Sequence, residues 1–475
     1  MEHLYEKLVR NSESSVYPCH MPGHKRGGCG ELPASLYSLD ITEIEGFDDL
    51  HRPEGILLEL QREAAKLCGA EESFYLINGS TCGILSAVSA ALPQGGHILM
   101  ARNCHRSAYH AAYLRNLRVS YLYPAILEEY DVCQPVTPEQ VREALQERKD
   151  IDAVLVVSPT YEGRIADIGG IAEAVHERGI PLIVDEAHGA HLGLSEEVAE
   201  NSCRQGADLV IQSVHKTLPA LTQTALLHVN GNLMDRERLK RFLHIYQSSS
   251  PSYLLMASID SALHYVKENG KEAFATFRRR YERMLTELSQ CRILKFLPAD
   301  REKQDVGKLV ISVKNSSMTG KQLYDILLDR YKIQTEMAAE SYVLAMFTVC
   351  DEQEGYDRIT KALLEIDGSL ERRKAENSLQ GNIWEKSADR AGMTLTAAWD
   401  AEKEEVALEE SVGRYGGDFV NLYPPGVPVL VPGERITEEL AADVGRWLRQ
   451  GLSVWGVELR DGKYTVRVLK NTVER

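Results

Sequence analysis

Six short, almost continuously apolar runs separated by helical segments constrain this chain more than any other feature. They are HILMA from His97, VSYLYP from Val119, IDAVLVVS from Ile151, IPLIVDEAH from Ile180, ADLVIQS from Ala207 and TALLHV from Thr224. A strand that is apolar on both faces must be covered on both faces, and helices packed on either side of a mostly parallel sheet supply that cover. The segments between them have helical spacing. GILLELQREAAKLCG closes on Gly69, and STCGILSAVSAAL starts directly after Gly79. In TPEQVREALQER, Thr137 is followed by Pro138 and, three residues on, by Gln140, the pattern of a capping box. ESFYLI from Glu72 adds one more strand. The fold class expected is α/β.

At 475 residues the chain exceeds what one hydrophobic core usually serves. Residues 1–54, rich in Gly, Pro and His and without clear periodicity, read as an N-terminal arm. Residues 55–300 read as the large domain, alternating strand and helix as far as Gly270 and ending in the helical stretch FATFRRRYERMLTELSQC. Residues 301–475 read as smaller α/β structure, opened by KLVISV from Lys308 and TGKQLYDILLDRY from Thr319. The charged stretch Glu371 to Arg390 has the composition of a solvated helix or linker. NLYPPGVPVLVPGE from Asn421 is a rigid apolar loop of the kind that packs against something.

Charge narrows the function classes. Lys plus Arg number 54 and Asp plus Glu 70, a net charge of −16, which repels a phosphate backbone and argues against nucleic acid as a partner. The nine cysteines form no C-x-x-C pair and are odd in number, which fits thiols in a reducing compartment. No apolar signal core opens the sequence and no run is long enough to span a membrane, so a cytoplasmic protein is expected.

Chemistry concentrates at the ends of the apolar runs. SVHKT places Lys216 just beyond ADLVIQ, at the carboxyl edge of the sheet where open α/β folds hold ligands. Partial desolvation there lowers an amine's pKa and frees it to form an imine. A lysine at a strand end is commonplace by itself; the accompanying residues give it weight. IPLIVDEAHGAH ends a second run on Asp185, too polar for a purely structural strand end. An Asp against a pyridine nitrogen keeps the ring protonated and makes pyridoxal 5'-phosphate (PLP) an electron sink. Ala187 is small enough to lie under such a ring, with His188 near its hydroxyl. NGST puts Ser80, Thr81 and open backbone amides at a helix start after Gly79, an arrangement that suits a phosphate, and Ser213 and His215 could complete the shell. RNCHRS offers His105 as the ring stacked on the cofactor. No metal site is expected.

The order of anion turn, stacking ring, ring-nitrogen Asp and Lys resembles that of the fold-type I PLP enzymes, the aspartate aminotransferase-like superfamily. The likeness extends to the Orn/Lys/Arg decarboxylase family through MPGHKRG, DITEIEGFDDLHRPEG, NGST, RNCHRS, SPTYEG, DEAHGAHLG, SVHKTLPALTQTA, YQSSSPSYLLMASID and YPPGVPVLVPGE, which span nearly the whole chain. It points to the short bacterial branch, with no receiver-like domain ahead of the arm. The resemblance implies a large PLP-binding domain with a mostly parallel sheet and a smaller C-terminal domain. It implies Lys216 as the Schiff-base residue, Asp185 as pyridinium partner, His105 as stacking ring, and Ser80, Thr81, Ser213 and His215 as phosphate ligands. Either Ser158 or Thr160 would bond the phenolic oxygen. It further implies a homodimer or higher homo-oligomer with active sites at the interface, for which Ser249, Ser250 and Tyr253 are candidate contributors.

The reaction implied is α-decarboxylation of a free basic amino acid, arginine first and lysine or ornithine next, giving carbon dioxide and a polyamine or polyamine precursor. His188 or Lys216 would return the proton to Cα. The substrate's distal cation needs an anion, and Glu43, Asp48, Asp49, Glu336, Glu340 and Glu434 are the candidates. Three other readings stand beside this one. A purely structural protein would leave the polar set at the strand ends unexplained. An aminotransferase or aldolase-like reaction would share the cofactor residues but is disfavoured by MPGHKRG and YPPGVP. A PLP-binding non-catalytic regulator is disfavoured by the joint presence of Lys216, Asp185 and His105.

Overall fold

The computed structural model describes residues 2–27, 31–372, 392–423 and 426–470. The charged stretch up to Arg390 therefore lies, beyond Arg372, outside the described residues. The chain divides into two compact units, one formed by Met1–Ala91 and Ile168–Ala275, the other by Leu92–Asp167 and Thr276–Arg475.

Every apolar run identified above forms a strand. In chain order these are β1 (Glu72–Leu76), β2 (His97–Ala101), β3 (Arg118–Leu122), β4 (Ala153–Val157), β5 (Leu182–Asp185), β6 (Leu209–Gln212) and β7 (Ala225–Val229). Their helical neighbours include α1 (Leu4–Ser12), α2 (Ile56–Cys68), α3 (Gly79–Ala91), α4 (Arg106–Leu114) and α5 (Pro138–Glu147). Thr137 caps α5 with the full capping box, and Gly69 closes α2 in the left-handed conformation at φ 74°.

In the first unit the strands lie in the order β1-β7-β6-β5. β5 and β6 run parallel, whereas β7 runs antiparallel to both β6 and β1. In the second unit β2 is flanked by β3 and β4, both parallel to it. The mostly parallel sheet expected of an α/β fold is present, with β7 as the strand that departs from it. The departure matters, because Ser213–Thr224 must return the chain from β6 to its antiparallel neighbour, and Lys216 lies on that return. Leu182, Ile183, Val184, Leu209, Val210 and Ile211 are all fully buried, each contributing roughly 1.5–3 kcal/mol of hydrophobic stabilisation.

Two expectations need correction in detail. The N-terminal arm contains helix: α1 is anchored by Asp260, which accepts the Leu4 amide at 2.8 Å and lies 3.1 Å from His3. Its amphipathic spacing is only two turns long, too short to stand out among the Gly and Pro that follow. The C-terminal part of the second unit, in turn, builds several small antiparallel sheets. Lys308–Ser312 pairs with Tyr342–Met346, Lys403–Ala407 with Lys463–Leu469, and Val420–Leu422 with Val427–Leu430.

Candidate active site

Seven of the ten predicted site residues fall in the first unit. Asp185 is the last residue of β5, and Ser213–Lys216 follow β6 directly in a short helical turn, Val214–Thr217. Because β5 and β6 are parallel neighbours, with Asp185 opposite Ile211, their carboxyl ends bring both groups to one edge. Lys216 Nζ lies 3.1 Å from His188 Nε2, so the two proposed proton donors are in hydrogen-bond contact. Asp185 is 6% exposed and accepts the Ala187 amide at 3.1 Å. Burial pushes its carboxyl up, and the Lys216 ammonium and the Ala187 amide pull it partly back. A buried carboxylate of this kind gains from a cationic partner, which a pyridinium would be.

The anion turn is formed as expected. Gly79 adopts φ 74°, and Ser80 and Thr81 are the second and third residues of α3, where backbone amides lack intrahelical acceptors. Ser80 is half-buried and Thr81 exposed. The helix can approach the sheet this closely because of Gly83: a Cβ there would lie 2.7 Å from Leu76 Cδ1 and 2.9 Å from Ile211 Cγ2. Ser213 is fully buried and its hydroxyl has no hydrogen-bond partner, an uncommon state for a buried polar atom. Such an orphaned hydroxyl beside Lys216 fits a phosphate that would complete it. His215 Nδ1 donates to the Thr224 carbonyl at 2.7 Å, and burial pushes its pKa down. Its Nε2 can therefore donate to a phosphate only when the ring is protonated, a change that a phosphate dianion would itself favour.

His105, Ser158 and Thr160 belong to the second unit. His105 caps α4, its Nδ1 accepting from the Ser107 amide at 3.3 Å. Gly426 of YPPGVP lies beside the imidazole, where a Cβ would make an ordinary contact 3.4 Å from His105 Nε2, and its φ of 78° is the left-handed conformation that favours glycine. Ser158 accepts the Ala166 amide at 3.1 Å, which leaves its own proton to donate. Thr160 donates to Glu162 and accepts from the Arg164 amide, both at 3.1 Å, and so is engaged at both ends.

Most of the six candidate acids have structural duties that sequence alone did not reveal. Asp48 caps the start of α2: burial pushes its carboxyl up, but the amides of Glu54, Gly55, Asp49 and Leu57 outweigh this and hold it below the usual range. Glu340 binds Arg446 at 2.7 Å and accepts from Trp447 and Gln450. Glu434 is 2% exposed and forms two bonds, of 2.9 and 3.3 Å, to the fully buried Arg102. Glu336 accepts from the Tyr161 hydroxyl, and Asp49 accepts the His51 amide at 2.8 Å. Glu43 is exposed. Tyr253 also departs from expectation: it is fully buried, packs edge-on against Phe47 and donates its hydroxyl to the Asp48 carbonyl, so it serves the core of its own chain. Ser249 and Ser250 are exposed.

Sequence reasoning missed Glu186, Gln212 and His228, three buried polar residues of the same unit. The available signal was a polar residue closing or interrupting an otherwise apolar strand, which ADLVIQ and TALLHV both show. Among the described residues no group of three or more His, Cys, Asp or Glu is arranged to hold a metal, and no helix is long and apolar enough to cross a membrane.

Residues 2–301 match the family profile of the Orn/Lys/Arg decarboxylase major domain, and residues 385–450 that of the Orn/Lys/Arg decarboxylase C-terminal domain. An arginine decarboxylase of Bacillus subtilis (strain 168) is 31% identical, over 98% of this chain and 97% of its own length. The constitutive lysine decarboxylase of Escherichia coli (strain K12) is 24% identical over 94% of this chain and 79% of its own. The solved structure of an E. coli constitutive lysine decarboxylase superposes with a TM-score of 0.82 at 20% identity, covering 98% of this chain and 82% of that one. A serine palmitoyltransferase of Sphingomonas wittichii shares the fold more distantly, with a TM-score of 0.53 at 15% identity over 66% of this chain and 77% of its own. The fold is that of the fold-type I enzymes, and the chain belongs to the Orn/Lys/Arg decarboxylase family and is a decarboxylase.

Proposed function

We propose that the protein removes the α-carboxylate of a free basic amino acid, arginine first and lysine or ornithine next, with PLP held by Lys216. The observation that carries this reading is the convergence of Lys216, His188, buried Asp185 and the orphaned Ser213 hydroxyl at the ends of β5 and β6. The near full-length similarity to proteins named arginine decarboxylase favours arginine as the substrate.

When bound, PLP supplies an electron sink for the carbanion left at Cα. Lys216 would hold the cofactor through its amine, while Asp185 keeps a proton on the ring nitrogen. Ser80, Thr81, Ser213 and the α3 amides would grip the phosphate, with His215 joining them as an imidazolium. His188, 3.1 Å from Lys216, can exchange a proton with it, so either can hold the proton that Cα receives. By the family resemblance His105 is the stacking ring. Of the two hydroxyls considered for the phenolic oxygen, Ser158 is favoured, because Thr160 has already given its proton to Glu162. Asp48, Glu340 and Glu434 are the most heavily engaged, so Glu43, together with Asp49, which accepts the His51 amide, and Glu336, which accepts from the Tyr161 hydroxyl, are the candidates to read the substrate's distal cation.

The arm 1–54, the PLP-binding domain 55–300 and the C-terminal region 301–475 would act together in a cytoplasmic homodimer or larger assembly. Ser249 and Ser250, exposed on a turn, are its candidate interface contributors, and the amine product is a polyamine or a polyamine precursor. Incubating the protein with PLP and each of the three amino acids, and measuring carbon dioxide and amine, tests the reaction. Borohydride should fix the cofactor on Lys216; a label on another lysine, or turnover by Lys216→Ala, would refute the assignment.

A further inference from the structure

Glu186, the residue after Asp185, has no role in the reaction described above. It is 1% exposed and takes hydrogen bonds from Gln212 Nε2 at 2.6 Å, from the Ser202 amide at 2.9 Å and from the Ser202 hydroxyl. Gln212 carries the connection onward, its carbonyl oxygen lying 3.0 Å from His228 Nε2, while His228 Nδ1 lies 2.6 Å from the Ser73 hydroxyl. None of the five residues is more than 3% exposed. The direction of each bond follows from these contacts. Gln212 gives its amide protons to Glu186, so its oxygen must accept, and His228 therefore carries its proton on Nε2 and accepts from Ser73. Burial pushes His228 down to about 3, which keeps the ring neutral. Every donor in the chain points toward Glu186.

The chain of bonds links the end of β5 to β6, β7 and β1. Gln212 is the last residue of β6, directly before Ser213 and the turn that presents Lys216. We propose that Glu186 is a positioning residue for the decarboxylation: by gripping Gln212 it fixes the end of β6, and with it Lys216, against the end of β5 that carries Asp185 and His188. This inference rests on the roles given above to those three residues and adds a group that acts through them. Misplacing reacting groups by about 1 Å can cost on the order of 100-fold in rate.

The surroundings of Glu186 also make it responsive to pH. Its facing titratable groups are His191, Cys68 on α2 and Cys203; burial pushes the Cys68 thiol up to about 12 and Cys203 well above its ordinary value, so both thiols are neutral. Burial pushes Glu186 up to about 7, against the pull of Ser202, Gln212 and His191. The Ser202 hydroxyl can rotate from donor to acceptor to receive the extra proton. Glutamine at this position could preserve the network: with the Gln212 amide inverted and the His228 proton moved to Nδ1, the bonds from position 186 through Gln212 and His228 to Ser73 are all made again, with their directions reversed. Alanine could not.

The test compares wild type with Glu186→Gln, Glu186→Ala and Gln212→Leu, all as the full chain. Folded Glu186 holds its proton to about 7 whereas an unfolded one releases it near 4.5, so wild-type apoprotein should melt progressively lower across that window and no lower above it. Glu186→Gln should lack this slope. Saturated with PLP, Glu186→Gln should keep kcat within about threefold of wild type, while Glu186→Ala loses roughly 10- to 100-fold in kcat with little change in KM. Gln212→Leu should behave like Glu186→Ala, and carries the test if the alanine variant does not fold. All folded variants should still take the borohydride label on Lys216. Wild-type kcat in Glu186→Ala or Gln212→Leu would overturn the proposal while leaving the Lys216 assignment standing, as would a glutamine variant no better than alanine or a wild type without the melting slope. A wild type that takes no label on Lys216 would overturn the assignment on which the proposal rests.

Discussion

Replacing Glu434 by glutamine would remove one charge from a pair that is sealed from water. Arg102 is fully buried and Glu434 2% exposed, so neither charge has solvent to fall back on. Burial would push the guanidinium pKa down, but the attraction of Glu434 outweighs it, and Arg102 stays charged at any accessible pH. In the variant the guanidinium keeps the Pro428 carbonyl at 2.6 Å, the Tyr109 hydroxyl at 3.0 Å and the Tyr109 and Tyr121 rings, but no charged partner. The cost of breaking a buried pair by deleting one partner is about 3–5 kcal/mol. Because Arg102 is fully buried and the glutamine oxygen can still accept one bond, a loss of about 3 kcal/mol is the working figure. All four tryptophans, Trp384, Trp399, Trp447 and Trp455, lie C-terminal to residue 301, so their fluorescence during urea unfolding reports on the region that contains Glu434. The variant should unfold at lower urea while the ratio of KM for lysine to KM for norleucine stays near that of wild type. Adding Arg102→Met should recover part of the loss, since the double variant leaves no unpaired charge. Unchanged urea stability together with a selective rise in KM for the basic substrate would refute the reasoning and return Glu434 to the substrate site.

Asp185→Asn should still bind PLP but lose nearly all kcat, since an amide cannot stabilise a pyridinium; a change mainly in KM would contradict its role. Gly426→Ala should destabilise by about 1–2 kcal/mol, because an L-residue at φ 78° is strained; a variant as stable as wild type would remove the significance given to that conformation. Norleucine and citrulline should be very poor substrates beside lysine and arginine, because an acidic partner left unpaired by a neutral analogue penalises it steeply. Comparable turnover of norleucine and lysine would rule out an acidic distal site. Mixing Lys216→Ala subunits with a Ser249→Trp or Ser250→Trp variant should restore some activity if the sites span two subunits; mixed dimers without activity would place both groups in one chain.

The layered α/β plan and the edge at which chemistry occurs were legible in the order of residues alone. Apolar runs such as LIVD and LVIQ can be buried only as covered strands, and the polar residues that end them, Asp185 and the SVHKT turn, must then emerge together. Local signals were equally legible: the Thr137 capping box and the Gly69 stop depend on residues a few positions apart. Which polar groups remain available, by contrast, emerges only once the chain is folded. Glu434 is engaged by Arg102, 332 positions away, and Tyr253 by the Asp48 carbonyl, 205 positions away. Likewise, no periodicity announces that Glu186 meets Gln212, because pairing across a sheet joins residues whose separation in sequence is set by the helices between the strands. A carboxylate's identity is written in the sequence, but its charge, its partner and its freedom to meet a substrate are set by what the fold buries beside it.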